Sequence, residues 1–267
     1  MIQGKERIKT AFVKGQKPLL VAFTVAGDPD YQISLALIRQ MAASGADFIE
    51  LGLPFSDPVA DGPVIQRADI RAMEAGMNTD RLFDLVREFR SDNQIPVIVL
   101  TYANLIIRRG IDQFYREAAQ AGIDGVVIAD VPYEESEPFQ ASAKAAGMDQ
   151  IMMISPTTSS ERIEDILSVA SGFIYMVAVM GITGARTGVD AAAVNLLKHL
   201  KTRTNIPLAP GFGISTRTQV QLWADAGADA VIVGSAIISR IESHLEKPQE
   251  MVRAIGTFIQ ELKDKSS

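Results

Sequence analysis

Short apolar runs alternate with amphipathic stretches along nearly the whole chain. Runs that read as strands buried on both faces begin near Leu19, Phe48, Val97, Gly125, Ile151, Phe173, Pro207 and Ala230. Each is a few Val-, Ile- or Leu-rich residues bounded by turn formers, as strands of a covered parallel sheet require. Between them the apolar positions shift to three- and four-residue steps. Leu35, Ile38 and Met41 mark a helix after the Asp28-Pro29 turn. Further helices are predicted over 81–90, 111–121, 135–146, 161–170, 191–200, 217–226 and 235–245. Eight strands, each followed by a helix, predict an α/β fold of the (β/α)8 TIM-barrel type. A doubly wound sheet is the alternative, but it more often has five to seven strands.

Two segments fall outside the eight units. Residues 1–14 predict a short amphipathic helix with Ile8, Ala11 and Phe12 on one face, suited to capping the barrel's base. After Pro248, Met251, Ile255, Phe258, Ile259 and Leu262 form one stripe, so an extra C-terminal helix should dock on the barrel exterior. No linker or low-complexity stretch interrupts the pattern, and residues 1–267 are expected to form one domain. A weak repeat runs through it: S-G-A-D-F-I-E-L-G (44–52), A-G-I-D-G-V-V-I-A-D (121–130) and A-G-A-D-A-V-I-V-G-S (226–235). In each, a helix closes at glycine, an aspartate turns the chain, and a buried strand follows. Those strands run into Glu50, Asp130 and the Gly234-Ser235 pair, where a barrel places functional groups. Spacing adds two long loops, one over 52–79 and one around 180–190, both expected to be functional.

Composition narrows the possibilities. The 47% hydrophobic and 22% charged residues are ordinary globular values. A net charge of −6 argues against nucleic acid or an anionic membrane as partner. With no cysteine, disulfides, thiol nucleophiles and thiolate metal sites are excluded. The first ten residues lack a signal peptide's apolar core, and no run approaches the ~20 apolar residues of a membrane span. A soluble, cytoplasmic protein is expected.

The chemistry centres on residues 48–66, F-I-E-L-G-L-P-F-S-D-P-V-A-D-G-P-V-I-Q. Glu50 interrupts an apolar strand, where an unpaired charge costs several kcal/mol and a raised pKa is the usual response. Asp57 and Asp61 follow on the loop. Read structurally, Glu50 is a satisfied buried acid and the aspartates are turn residues. Gly211-Phe212-Gly213 after the seventh strand and Val233-Gly234-Ser235-Ala236 after the eighth occupy the positions where barrels bind phosphate at a helix N-terminus. The same Gly-Ser pair also makes a good helix start. His199 and His244 fall on helix patterns, which removes histidine acid–base catalysis and a histidine metal cluster. No lysine falls at the C-terminal end of a strand, so a Schiff-base aldolase lacks its nucleophile. What remains is carboxylate acid–base chemistry on a phosphorylated substrate, helped by Tyr102 and Tyr175. Loop 180–190, with Gly181, Gly184 and Gly188 around Thr183 and Arg186, reads as a lid. Leu105, Ile106 and Ile107 put apolar residues on the rim, as a partner surface would.

Seven motifs together carry a family resemblance: A-F-T-V-A-G-D-P (22–29), E-L-G-L-P-F-S-D-P-V-A-D-G-P-V-I-Q (50–66), T-Y-A-N (101–104), A-D-V-P-Y-E-E-S (129–136), G-I-T-G-A-R (181–186), G-F-G-I-S (211–215) and V-G-S-A-I (233–237). Over essentially its whole length the chain resembles tryptophan synthase alpha subunits. The resemblance implies retro-aldol cleavage of indole-3-glycerol phosphate, with Glu50 and Asp61 as the catalytic carboxylates. It implies an indole pocket of Phe23, Leu100, Tyr102, Ala129, Tyr175 and Phe212, with Thr183 as a lid residue. Phosphate would fall to Gly184, Gly213, Gly234 and Ser235. A beta subunit would meet Asp57, Pro58, Ile107 and Pro132 in an alpha2-beta2 heterotetramer. No cofactor is implied for this chain, since pyridoxal phosphate belongs to the beta subunit. Thr24-Val25, Met153, Ala178 and Met180 depart from the family pattern.

Overall fold

The computed structural model describes residues 4–177, 191–211 and 213–264. Eight strands among them close into a parallel barrel in sequence order: β1 (Leu19–Val25), β2 (Phe48–Gly52), β3 (Val97–Thr101), β4 (Gly125–Ile128), β5 (Asp149–Ile154), β6 (Ile174–Val177), β7 (Leu208–Gly211) and β8 (Ala230–Val233). The doubly wound alternative is excluded, because β8 pairs with β1 and leaves no sheet edge. Helices alternate with the strands: α1 (Gly4–Lys14), α2 (Tyr31–Ala43), α3 (Pro63–Glu74), α4 (Thr79–Arg90), α5 (Ala103–Arg109), α6 (Ile111–Ala121), α7 (Glu137–Ala145), α8 (Ser160–Val169), α9 (Ala191–Lys201), α10 (Arg217–Ala226), α11 (Ser235–Glu242) and α12 (Pro248–Lys263).

Both extra helices dock as their stripes predict. In α1, Ile8 and Phe12 are buried, and Phe12 meets Phe48 and Phe173 at ring-centroid distances of 5.3 and 5.9 Å. This ring cluster plugs the base of the barrel, at the strands' N-terminal end. The stripe of α12 packs against α2, α10 and α11.

The repeated aspartates do more than turn the chain. Asp47, ahead of β2, accepts the N–H of Leu20 on β1 at 2.7 Å. Asp124, ahead of β4, does the same for Val97 on β3 at 2.7 Å, and Asp229, ahead of β8, for Leu208 on β7 at 2.9 Å. Each carboxylate thus staples its own strand to the preceding one where the ladder begins and would otherwise leave an N–H bare. Each also holds basic side chains: Asp47 takes Lys263, Asp124 takes Arg7 and Arg90, and Asp229 takes Lys17 and Lys201.

Three expectations need correction. The 52–79 stretch is not one long loop, since α3 occupies its second half. Pro63 at the first helical position supplies a preset φ, and Ala68, Asp69 and Ala72 form its buried face. The helix expected over 135–146 is a 3₁₀ turn, Tyr133–Glu135, followed by α7. The helix expected over 235–245 ends at Glu242, where α11 gives way to a turn before Pro248.

The Asp124 cluster should dominate stability at the base. Its carboxylate is fully buried, and Arg90, nearly buried itself, has no other acid to turn to. Asp124→Ala is therefore expected to lower unfolding free energy by about 3–5 kcal/mol in urea denaturation, since it strands a buried guanidinium. Removing the exposed Arg162–Glu134 pair should leave the urea midpoint nearly unchanged, since solvent screens it.

Candidate active site

Strand register decides which side chains meet inside the barrel. Phe23 lies opposite Glu50, and Glu50 opposite Ile98, so all three share the inward face. One pleat further on, Val25, Gly52 and Leu100 stand at the strand ends. Two backbone positions make room for the rings. A Cβ at Gly211 would come within 3.0 Å of the Tyr175 phenol, and one at Gly234 within 3.0 Å of the Phe23 ring. Neither site tolerates a side chain without displacing an aromatic wall.

Glu50 is 1% exposed, and neither carboxylate oxygen has a hydrogen-bond partner. Burial, reinforced by the charge of Asp61, pushes its pKa up to about 8, so it is protonated at neutral pH. Asp61, on the β2–α3 loop, is half-buried. Its Oδ2 accepts the Tyr102 hydroxyl at 2.6 Å, and the Tyr102 oxygen in turn accepts the Ala60 N–H at 3.2 Å. Burial raises the Asp61 pKa, and the tyrosine's hydrogen bond opposes the rise. The Tyr102 ring is fixed by Phe55, stacked at 5.1 Å between centroids. Burial first, then the charges of Glu50 and Asp61, hold the Tyr175 phenol well above its ordinary pKa, so it stays a neutral donor.

A cavity of about 280 Å³ opens above this group at the strands' C-terminal end. One side is formed by Phe23, Asp61, Ile65, Leu100 and Tyr175, the other by Gly213, Ile214, Ser215, Ser235, Ala236 and Ser239. The first side is aromatic and aliphatic with a single carboxylate. The second combines the loop after β7 with the start of α11, whose N-cap Gly234 makes no side-chain capping bond. First-turn N–H groups there are available to an anion, favoured further by the helix dipole. Larger hollows of about 500 and 380 Å³ lie at the base beside α1 and α12, away from these acids. Glu50 does not line the cavity. It is sealed below the opening while Asp61 forms part of the wall.

The other candidates are distributed as follows. Ala129 lines a second cavity of about 230 Å³ with Pro132, Tyr133 and Met153. Asp57 and Pro58 lie on the loop after β2, Ile107 on α5 after β3 and Pro132 on the loop after β4, consecutive around the same rim. There Ile107 is 57% and Val59 82% exposed. Asp130 is structural: its Oδ1 accepts the Ala103 N–H at the start of α5 at 2.8 Å. Thr183, Gly184 and Phe212, together with loop 180–190 and Ala178, lie outside the described residues. Thr24 turns away from the cavity, buried with an unpartnered hydroxyl. Sequence reasoning missed Ile65, Ile214, Ser215 and Ser239. Ile65 was hidden by taking α3 for loop, though Ile65, Ala68 and Ala72 repeat at helical spacing. Among the described residues, no group of three or more His, Asp or Glu could hold a metal ion.

A model of the family described as "Tryptophan synthase alpha chain" matches residues 10–267. The tryptophan synthase alpha chain of Methanoregula boonei is 46% identical over 257 residues, covering 96% of this chain and 97% of the relative. The crystal structure of tryptophan synthase subunit alpha from Legionella pneumophila superposes with a TM-score of 0.89 at 34% identity, covering 98% of each chain. A chain from the tryptophan synthase a2b2 complex of Pyrococcus furiosus gives 0.87 at 35% identity, covering 92% of this chain and 98% of that one. Fold and sequence agree along the whole length compared: the chain belongs to the tryptophan synthase alpha chain family.

Proposed function

We propose that this protein is a lyase that cleaves indole-3-glycerol phosphate to indole and D-glyceraldehyde 3-phosphate in tryptophan biosynthesis, with Glu50 and Asp61 as its acid–base pair. The observation that carries the assignment of roles is the contrast between these two carboxyls. Glu50 is dry, unpartnered and protonated, whereas Asp61 is wetter and hydrogen-bonded by Tyr102.

Direct rupture of the bond between indole C3 and the C3′ carbon would expel a carbanion. Protonation at C3 turns the ring into an electron sink. Glu50 supplies that proton. No hydrogen bond pins its oxygens, so rotation of the side chain brings the carboxyl to the cavity floor. The carboxylate left behind then takes the proton of the C3′ hydroxyl. The O–H electron pair becomes the carbonyl bond of the aldehyde, and the C3–C3′ pair returns to the ring as neutral indole. Asp61 remains anionic, accepting the indole N–H as positive charge develops on it. The two acids divide the work because their surroundings separate their pKa values. Phe23, Leu100 and Tyr175 hold the bicycle. Gly213, Gly234 and Ser235 hold the phosphate at the start of α11.

None of these steps calls for a cofactor. The reading gives pyridoxal phosphate to a beta subunit, docked on the rim formed by Asp57, Pro58, Ile107 and Pro132 in an alpha2-beta2 assembly. A water-soluble substrate fits a cytoplasmic enzyme, and no described helix is long and apolar enough to cross a membrane.

Indole release from indole-3-glycerol phosphate by the isolated chain, repeated with a beta subunit added, tests the reaction directly. Glu50→Gln should lower kcat by about 10²–10⁴-fold while glycerol phosphate still binds. Near-normal turnover by that variant removes the mechanism. The acid form of Glu50 prevails below its pKa of about 8. Activity should therefore fall as pH rises through that value, approaching about tenfold per unit. Tyr102→Phe leaves Asp61 without its donor and should reduce kcat by about 10–100-fold, corresponding to a lost hydrogen bond to a charged group.

A further inference from the structure

One buried acid takes no part in the reaction just described. Asp69 sits nearly two turns into α3, on its inward face between Ala68 and Ala72, and is only 4% exposed. Its Oδ2 has no hydrogen-bond partner. Nor, among the described residues, does a cation answer it. Arg71, two residues along the same helix, points elsewhere, as that spacing requires. Its guanidinium forks onto Asp28 at 2.8 and 2.9 Å and reaches Glu242 on α11 at 3.2 Å. Arg67 is occupied by the same Glu242, at 2.6 and 2.8 Å. The groups acting on Asp69 are acids: Asp61 from the β2–α3 loop and Asp28 from the end of β1. The charge of Asp69 is felt in turn by the Tyr102 hydroxyl, the donor to Asp61.

Four acids, Asp28, Asp61, Asp69 and Glu242, therefore share two arginines, and both arginines are committed to Asp28 and Glu242. An ionised Asp69 would be desolvated, unpaired and flanked by like charge, at a cost no neighbour offsets. When two such carboxyls compete for one proton, the drier one keeps it. We propose that Asp69 is a positioning residue for the catalytic aspartate: it stands behind Asp61 as a neutral carboxylic acid, taking the proton so that the negative charge stays on Asp61. The proposal rests on the reading above, in which Asp61 acts as the anion facing the indole N–H. In support, burial and then the charges of Asp61 and Asp28 push the Asp69 pKa up to about 8.

Asp69→Asn keeps the shape and the neutrality and removes the titration. The first measurement needs no substrate: urea unfolding of wild type and variant between pH 5 and 9. The folded pKa lies above the unfolded value of 3.8, so the folded state binds the extra proton and wild-type stability falls as pH rises toward 8. Relative to Asp69→Asn, the wild-type folded-to-unfolded ratio should drop by up to about tenfold per pH unit, levelling off above 8. A variant-to-wild-type difference that does not change with pH overturns the proposal. Should the asparagine variant fail to fold, Asp69→Ser gives the same comparison.

The second measurement is the pH profile of indole release. At pH 7 the asparagine variant should keep kcat within about threefold, as a neutral-for-neutral exchange predicts. Above pH 8 it should outperform the wild type, in which a second charge then crowds Asp61. A folded Asp69→Asn enzyme with more than tenfold lower kcat at pH 7, or with an unaltered alkaline limb, overturns the role. If wild type releases no indole while the stability slope is present, the reaction assignment fails and the proton on Asp69 stands.

Discussion

Closing eight parallel strands turns alternate positions of every strand away from water, and Glu50 occupies one of those positions with neither carboxylate oxygen hydrogen-bonded. A carboxyl in that setting persists by staying protonated, because no cation or donor among the described residues is hydrogen-bonded to it to stabilise the anion. The remaining parts of the site follow from this constraint. Aromatic walls seal the acid, and the glycines at 211 and 234 allow those walls to approach. An anion can be placed only at the wetter rim, where Asp61 has a tyrosine to donate to it.

The two ends of the barrel solve opposite problems with the same residue type. At the base, Asp47, Asp124 and Asp229 each take a strand N–H and at least one basic side chain. They tie neighbouring strands together and contribute to the fold. At the rim, the acids around α3 have too few cations among them. Asp28 is paired by Arg71, Asp61 is hydrogen-bonded, and Asp69 has neither. Such frustration is tolerated near chemistry because proton affinity, rather than stability, is what the site needs.

The rim also joins the cavity wall to exposed loop and helix surface through short covalent paths. Asp57 and Pro58 share a loop with Asp61, and Ile107 lies on α5 directly after Tyr102. Asp130 pins the start of that helix from the next loop. A contact made on the outer rim is thus only a few residues from Tyr102, the donor to Asp61. The Arg67–Glu242–Arg71–Asp28 chain adds a lateral tie between α3 and α11, the helix at whose start the anion site lies.

Read alone, the chain specifies the architecture and singles out the buried acid of β2. Eight apolar runs at regular spacing specify eight covered strands, because period and burial are local properties of the chain. Glu50 announced itself as a charge where the pattern demanded an apolar residue, and the glycine loops after β7 and β8 contribute Gly213 and Ser235 to the cavity wall. Helix α3 was missed because its polar outer face and its start at Gly62-Pro63 resemble a loop when read without neighbours. Only the folded structure decided who pairs with whom. Arg71 chooses Asp28 and Glu242 over its neighbour in sequence, Asp69, Tyr102 serves Asp61 rather than merely lining a pocket, and the repeated aspartates bind across strands. Those choices depend on distances between residues tens to hundreds of positions apart, and on the water that the closed barrel excludes, neither of which a one-dimensional pattern contains.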